Sequence, residues 1–189
     1  MIRLRPLFFG LTGASRLLRL DISGMHLMVG GARGFWHSLF WSAGLVAPLY
    51  ILLLLLRYDP EKFDGWRYIL VHAEMYVIAW LVFPIVMLRI CQLIRRPEQY
   101  LKFIIGYNWL NCFTNTFFLL AALAQASRMI EWDAAIPIFG CLLMVSFIWL
   151  GHLIKHALEL PYSAAVGIVI LDFFIGLMTD LVKTGLLAS

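Results

Sequence analysis

Apolar positions along this chain run in long unbroken stretches, separated by short segments rich in charge and turn-forming residues. Five stretches stand out, at roughly residues 35–56, 68–90, 103–125, 134–154 and 163–182. About 20 mostly apolar residues suffice for a helix that crosses a bilayer. Backbone in hydrocarbon must satisfy its own hydrogen bonds, so each stretch is expected to be helical. The pattern predicts an all-α protein: a polytopic membrane helix bundle with five transmembrane helices.

The segment before the first stretch reads differently. Leu7, Leu11, Ala14, Leu18 and Ile22 fall on a narrow arc of a helical wheel, with Arg16 and Arg19 opposite. That is the pattern of an amphipathic helix lying on the inner leaflet, with Arg3, Arg5, Arg16 and Arg19 among anionic headgroups. A docking helix for a partner protein is the alternative. Gly10 and Gly13 each weaken such a helix by about 1 kcal/mol relative to Ala, so a shorter helix over about residues 14–22 is expected. The apolar run Leu7–Leu11 is too short for the core of a signal peptide. The expected division is an interfacial segment, 1–34, and one bundle, 35–189, with no separate soluble domain.

Composition agrees with lipid as solvent: 62% of residues are hydrophobic and mean hydropathy is +0.87, against 45–50% apolar in typical soluble domains. Charge then sets the expected topology. Arg3, Arg5, Arg16, Arg19, Arg33, Arg89, Arg95, Arg96, Lys102 and Lys155 fall on one side of the expected bundle. Arg57, Lys62, Arg67, Arg128 and Lys183 fall on the other, among most of the acidic residues. The positive-inside rule places the N-terminus in the cytoplasm and the C-terminus outside. Nucleic-acid binding wants a continuous basic face, whereas these basic residues sit at the ends of apolar runs. The expected partners are the lipid bilayer and other membrane proteins, or a second copy as a homo-oligomer. Cys91, Cys112 and Cys141 form no CxxC pair or Cys/His ligand spacing and read as small buried hydrophobes.

Polar residues inside the apolar runs are the candidates for chemistry. Asn108, Asn111 and Asn115 stand at i, i+3 and i+7 in the third run, on one helical face. An amide aimed at lipid is costly, so this stripe should face other helices or a cavity. Glu74 in the second run and Asp172 near the middle of the fifth are intramembrane acids, which face a bundle interior or water. By depth, Asp172 is expected to meet Asn111 and Asn115 near the bilayer centre, with Glu74 nearer the outer side. A protonated Asp172 bonded to Asn111 would be a satisfied core network; an ionised one would mark a proton or cation site.

No GxSxG, HExxH, P-loop or paired-carboxylate motif is present, and the expectation leans away from an enzyme. No cofactor is predicted. The weak candidates are His37 with His152 as haem ligands at matching depth, and His152 with His156 at i, i+4 for a metal.

Five spans, an amphipathic cytoplasmic N-terminal segment, a very short external C-terminal tail and Gly106-Tyr107 in the third span resemble the Yip1-type membrane proteins. The likeness covers roughly residues 35–182. The acidic cytoplasmic signature of eukaryotic members is missing here, which speaks against a vesicle-trafficking role, and no functional residue carries over; the expected location is a bacterial inner membrane. Three functions follow as expectations. The first is a non-enzymatic scaffold or accessory subunit organising membrane components. The second is a small proton- or cation-linked transporter or channel using Asp172, Asn111, Asn115 and Glu74. The third is a haem-bearing subunit.

Overall fold

Turn and charged segments cut the chain into six α-helices in the structure, a computed structural model that describes residues 5–188. Helix α1 spans Arg5–Leu17 and a 3-10 turn covers Ile22–Leu27. Five long helices follow: α2 (Gly31–Arg57), α3 (Gly65–Leu93), α4 (Tyr100–Ala126), α5 (Trp132–Ala157) and α6 (Tyr162–Ala188). No strand occurs among the described residues, and Arg3 lies outside them. Four helices, α2, α3, α5 and α6, are long and apolar enough to cross a membrane. Helix α4 has comparable length at 27 residues, but Asn108, Asn111 and Asn115 interrupt its apolar run.

The helix ends explain where the chain turns. Asp64 caps α3 by accepting from the Arg67 amide at 3.1 Å. Helices α1, α3, α4 and α5 are each closed by a residue in the left-handed region: Leu20, Arg95, Arg128 and Glu159, with φ between 53° and 60°. Each permits a backbone bond that reaches back five residues: Asp21 to Arg16, Arg96 to Cys91, Met129 to Ala124 and Leu160 to Lys155, at 2.8–3.1 Å. Glycine usually holds this position, and a side chain there costs about 1–2 kcal/mol. Pro161 immediately precedes α6, while Pro48 and Pro84 lie inside α2 and α3 without breaking them.

Helix α4 is the centre of the bundle. It packs on α2 and α5, and α6 joins α5 to α3. At the end that carries α1, the interior is dense. Phe83 and Met87 of α3, Phe103 and Ile104 of α4, and Leu153 and Ile154 of α5 are almost wholly buried together. Arg96 Nη1 fastens this end by donating to the Leu158 carbonyl at 2.8 Å and to Glu159 at 3.3 Å.

Helix α1 departs from expectation. It begins before Gly10 and ends at Leu17, so the shorter helix over 14–22 does not form. The glycines are needed for contact: a Cβ on Gly10 would overlap the Trp109 indole of α4, and Gly13 and Gly24 press backbone to backbone. The arc expected to meet lipid instead meets protein. Ala14 is fully buried with Ile105 and Trp109, and Leu7 and Leu11 pack on the same cluster. Trp149 Nε1 of α5 donates to the Leu18 carbonyl at 2.9 Å. Arg5, Arg16 and Arg19 are exposed, as are Phe8 and Phe9.

Candidate functional site

The half of the bundle away from α1 is not filled. A cavity of about 790 Å³ lies between α2, α3, α4, α5 and α6, from their middles to the end formed by Arg57, Trp132 and Lys183. Its floor rests on the packed core at Phe83, Tyr107 and Leu150. Ligand sites are typically clefts of about 300–1,000 Å³ with mostly apolar walls and few polar groups, and this cavity fits that description.

Asp172 is the acid at the floor. Its position near the middle of α6 follows from the apolar run on both sides of it, and it is half-buried. Tyr107 of α4 donates its hydroxyl to Asp172 Oδ1 at 2.7 Å. The Tyr107 ring is held from the core side by Phe83, stacked at 4.4 Å between centroids. On the other flank, Phe173 contacts Phe147 of α5 edge-on at 5.7 Å. The cations in the lining are Arg57 and Lys183, both near helix ends at the mouth. Arg57 donates to Gln125 at 3.1 Å, and Lys183 is ion-paired with Asp180.

The wall formed by α2 and α3 is aromatic and tightly bonded. Tyr50 stacks on Tyr76 at 5.0 Å, and its hydroxyl lies 2.9 Å from His72 Nδ1. Tyr76 donates to the Ala43 carbonyl at 2.6 Å. The α4 wall presents Asn111 and Asn115, whose Nδ2 donates to the Asn111 carbonyl at 2.9 Å.

The expected polar cluster is therefore divided. Asp172, Asn111 and Asn115 line the same cavity. Asn108 turns away and donates to Ser38 of α2 at 2.9 Å, fully buried. Its Oδ1 and the buried Ser42 hydroxyl have no partner among the described residues. Glu74 is exposed on the outer face of α3 and does not line the cavity. The direct partner of Asp172 is Tyr107, not Asn111. The spacing carries that signal, since Tyr107 stands one turn before Asn111 on α4. Ser38, Tyr50 and Tyr76 are lone hydroxyls in apolar runs, a weaker signal than the asparagine stripe.

The histidines do not assemble a centre. His152 and His156 have rings 4.2 Å apart, and His156 Nδ1 lies 2.9 Å from the His152 carbonyl. No hydrogen bond or ring contact joins His37 to His152, and no three metal-ligating side chains gather, among the described residues. Cys91 and Cys112 are buried, whereas Cys141 is exposed.

Chemically, a carboxyl facing an aromatic cavity without a counter-cation takes up a proton or binds a cation, because an isolated charge there is costly. No family model, curated protein or solved structure matches the chain.

Proposed function

We propose that this protein is a small membrane carrier, proton- or cation-linked, whose site is the cavity floored by Asp172. One observation carries the reading: a cavity of about 790 Å³ ends on a carboxyl that has a hydroxyl donor but no cation beside it. Scaffolding, another of the expectations, calls for the same region to be dry and fully paired. The dense core at the α1 end supplies a barrier on one side of the site, and the cavity supplies access from the other.

In this account α4 is the fifth crossing, sheltered by α2 and α5 so that its asparagines avoid lipid. The α1 end faces the cytoplasm, in keeping with the arginine excess there, and the cavity opens outward across a bacterial inner membrane. Exposed Phe8, Phe9, Arg16 and Arg19 suit an inner-leaflet position for α1, though its buried face belongs to the bundle. The carrier works without covalent chemistry.

Purified protein in liposomes loaded with a pH-sensitive dye tests this. Small amines, carboxylates and sugars are added in turn to the outside. At least one class should move protons with wild-type protein and none should with Asp172→Asn. Silence of the wild type in every class, or equal movement in the variant, would overturn the proposal.

A further inference from the structure

We infer that the cavity binds a monovalent organic cation with an apolar body, a protonated or quaternary amine, with Asp172 as its counter-charge. This rests on the carrier reading and names the substrate class. The first ground is the charge left unmatched. Asp172 Oδ1 accepts from Tyr107, and no described residue donates to Oδ2. Lys183 stands eleven residues along α6, which at 1.5 Å per residue is about 16 Å away, and it is paired with Asp180. Arg57 is held by Gln125 at the mouth. When this carboxyl ionises, its positive partner therefore arrives from outside the protein.

The second ground is the shape and nature of the walls. Phe83 stacks on Tyr107, the hydroxyl donor to Asp172, and Phe147 meets Phe173 edge-on; all four rings line the cavity that holds the acid. Aromatic faces attract cations within about 6 Å of the centroid, and the attraction grows as water leaves. A hard divalent ion wants six or more oxygen ligands, whereas the other acid in the lining, Asp180, is committed to Lys183 at the mouth. A small inorganic ion would also leave most of about 790 Å³ unfilled. An apolar cation satisfies both the acid and the rings.

Binding then couples to a proton. The empty site holds Asp172 as the neutral acid, its Oδ1 still accepting from Tyr107. An entering ammonium pairs with the carboxylate as the carboxyl proton leaves to water, so one positive charge replaces another and no net charge enters the cavity.

The test uses purified full-length protein in detergent, with tetraphenylphosphonium as probe and tetraphenylborate as its size-matched anion. The cation should bind saturably to the wild type and to Asp172→Glu, releasing about one proton. Asp172→Asn should bind at least about tenfold more weakly, the loss expected for about 1.4 kcal/mol of attraction. Phe147→Leu keeps the acid and the volume class, and should weaken binding a few-fold. The anion should not compete. Equal affinity in the wild type and Asp172→Asn, equal displacement by the anion, or no binding of the cation at all would overturn the inference. If carboxylates or sugars nevertheless drive Asp172-dependent proton movement in liposomes, the carrier stands and only its substrate class falls.

Discussion

The Tyr107 hydroxyl and Asp172 Oδ1, 2.7 Å apart, tie the middle of α4 to the middle of α6. Those two helices otherwise pack mainly on other neighbours, α4 on α2 and α5, and α6 on α3 and α5. The bond thus spans the floor of the cavity rather than a helix seam. Interhelical hydrogen bonds in membranes are worth about 0.6 kcal/mol on average and up to about 1.7. Tyr107→Phe should lower stability in detergent by about 1 kcal/mol. In an Asp172→Ala background the same substitution should cost nothing further, because the acceptor is already gone. A full-sized loss in both backgrounds would show that the hydroxyl acts elsewhere.

Two groups of glycines should respond in opposite ways. Gly10 and Gly13 sit where a Cβ meets the Trp109 ring or the Gly24 backbone. Gly10→Ala and Gly13→Ala should destabilise by about 1–3 kcal/mol through overpacking, and thermal unfolding with limited proteolysis of the first 30 residues reads the loss. Gly44 and Gly140 lie in helices with open space around them. There Ala should stabilise by about 0.5–1 kcal/mol, the ordinary helical preference.

Arg128 holds φ at 60° after α4, is exposed, and closes the helix through the Met129 amide. Arg128→Gly should raise the unfolding midpoint, with a gain of about 1 kcal/mol or less after the added freedom of the unfolded chain. A lowered midpoint would mean that the guanidinium, not the backbone, matters at this turn.

The loop between α2 and α3 gives a pH signature. Lys62 beside Asp59, aided by the Glu61 amide, holds the Asp59 carboxyl below its usual range, and Asp59 in turn raises Lys62. A depressed acid stabilises above its unfolded value, near 3.9, and loses that effect as pH falls through its folded value. A raised lysine stabilises below its unfolded value, near 10.4, and loses that effect as pH rises through its folded value. The pair's contribution is therefore present between about pH 4 and 10. It is small because Lys62 is exposed and Asp59 only partly covered. Asp59→Asn should narrow the difference in thermal midpoint between pH 3 and pH 6; an unchanged difference would remove the pair from the acid response.

The apolar runs made the helices legible, because spanning length and continuity are properties of sequence alone. Asp172 was legible for a related reason: an acid in the middle of such a run has few places to go. The same rule misled for Glu74, which is exposed on α3. Burial of an acid depends on which face of the helix its neighbours cover, and a uniformly apolar run does not mark that face. Helical spacing put Asn108, Asn111 and Asn115 on one face, yet a face this wide meets both α2 and the cavity, so Ser38 claimed Asn108. For α1, the wheel identified the apolar arc but not its solvent. Only Gly10 and Gly13 hinted that a protein backbone, rather than lipid, lies against it. The left-handed residues that end four helices carry large side chains, so no glycine announced those turns.

The claim on which the rest depends is that water reaches Asp172 from the end of the bundle away from α1. Cysteine labelling in liposomes measures it, with Cys141 replaced by Ala because it is the exposed thiol, and Cys91 and Cys112 left in their buried sites. Asp172→Cys and Asn115→Cys should react with a membrane-impermeant maleimide added on the Trp132 side alone. Phe103→Cys, in the dense core, should stay unlabelled from both sides. A position 172 that is inert from both faces, or that reacts only from the α1 side, would contradict the account.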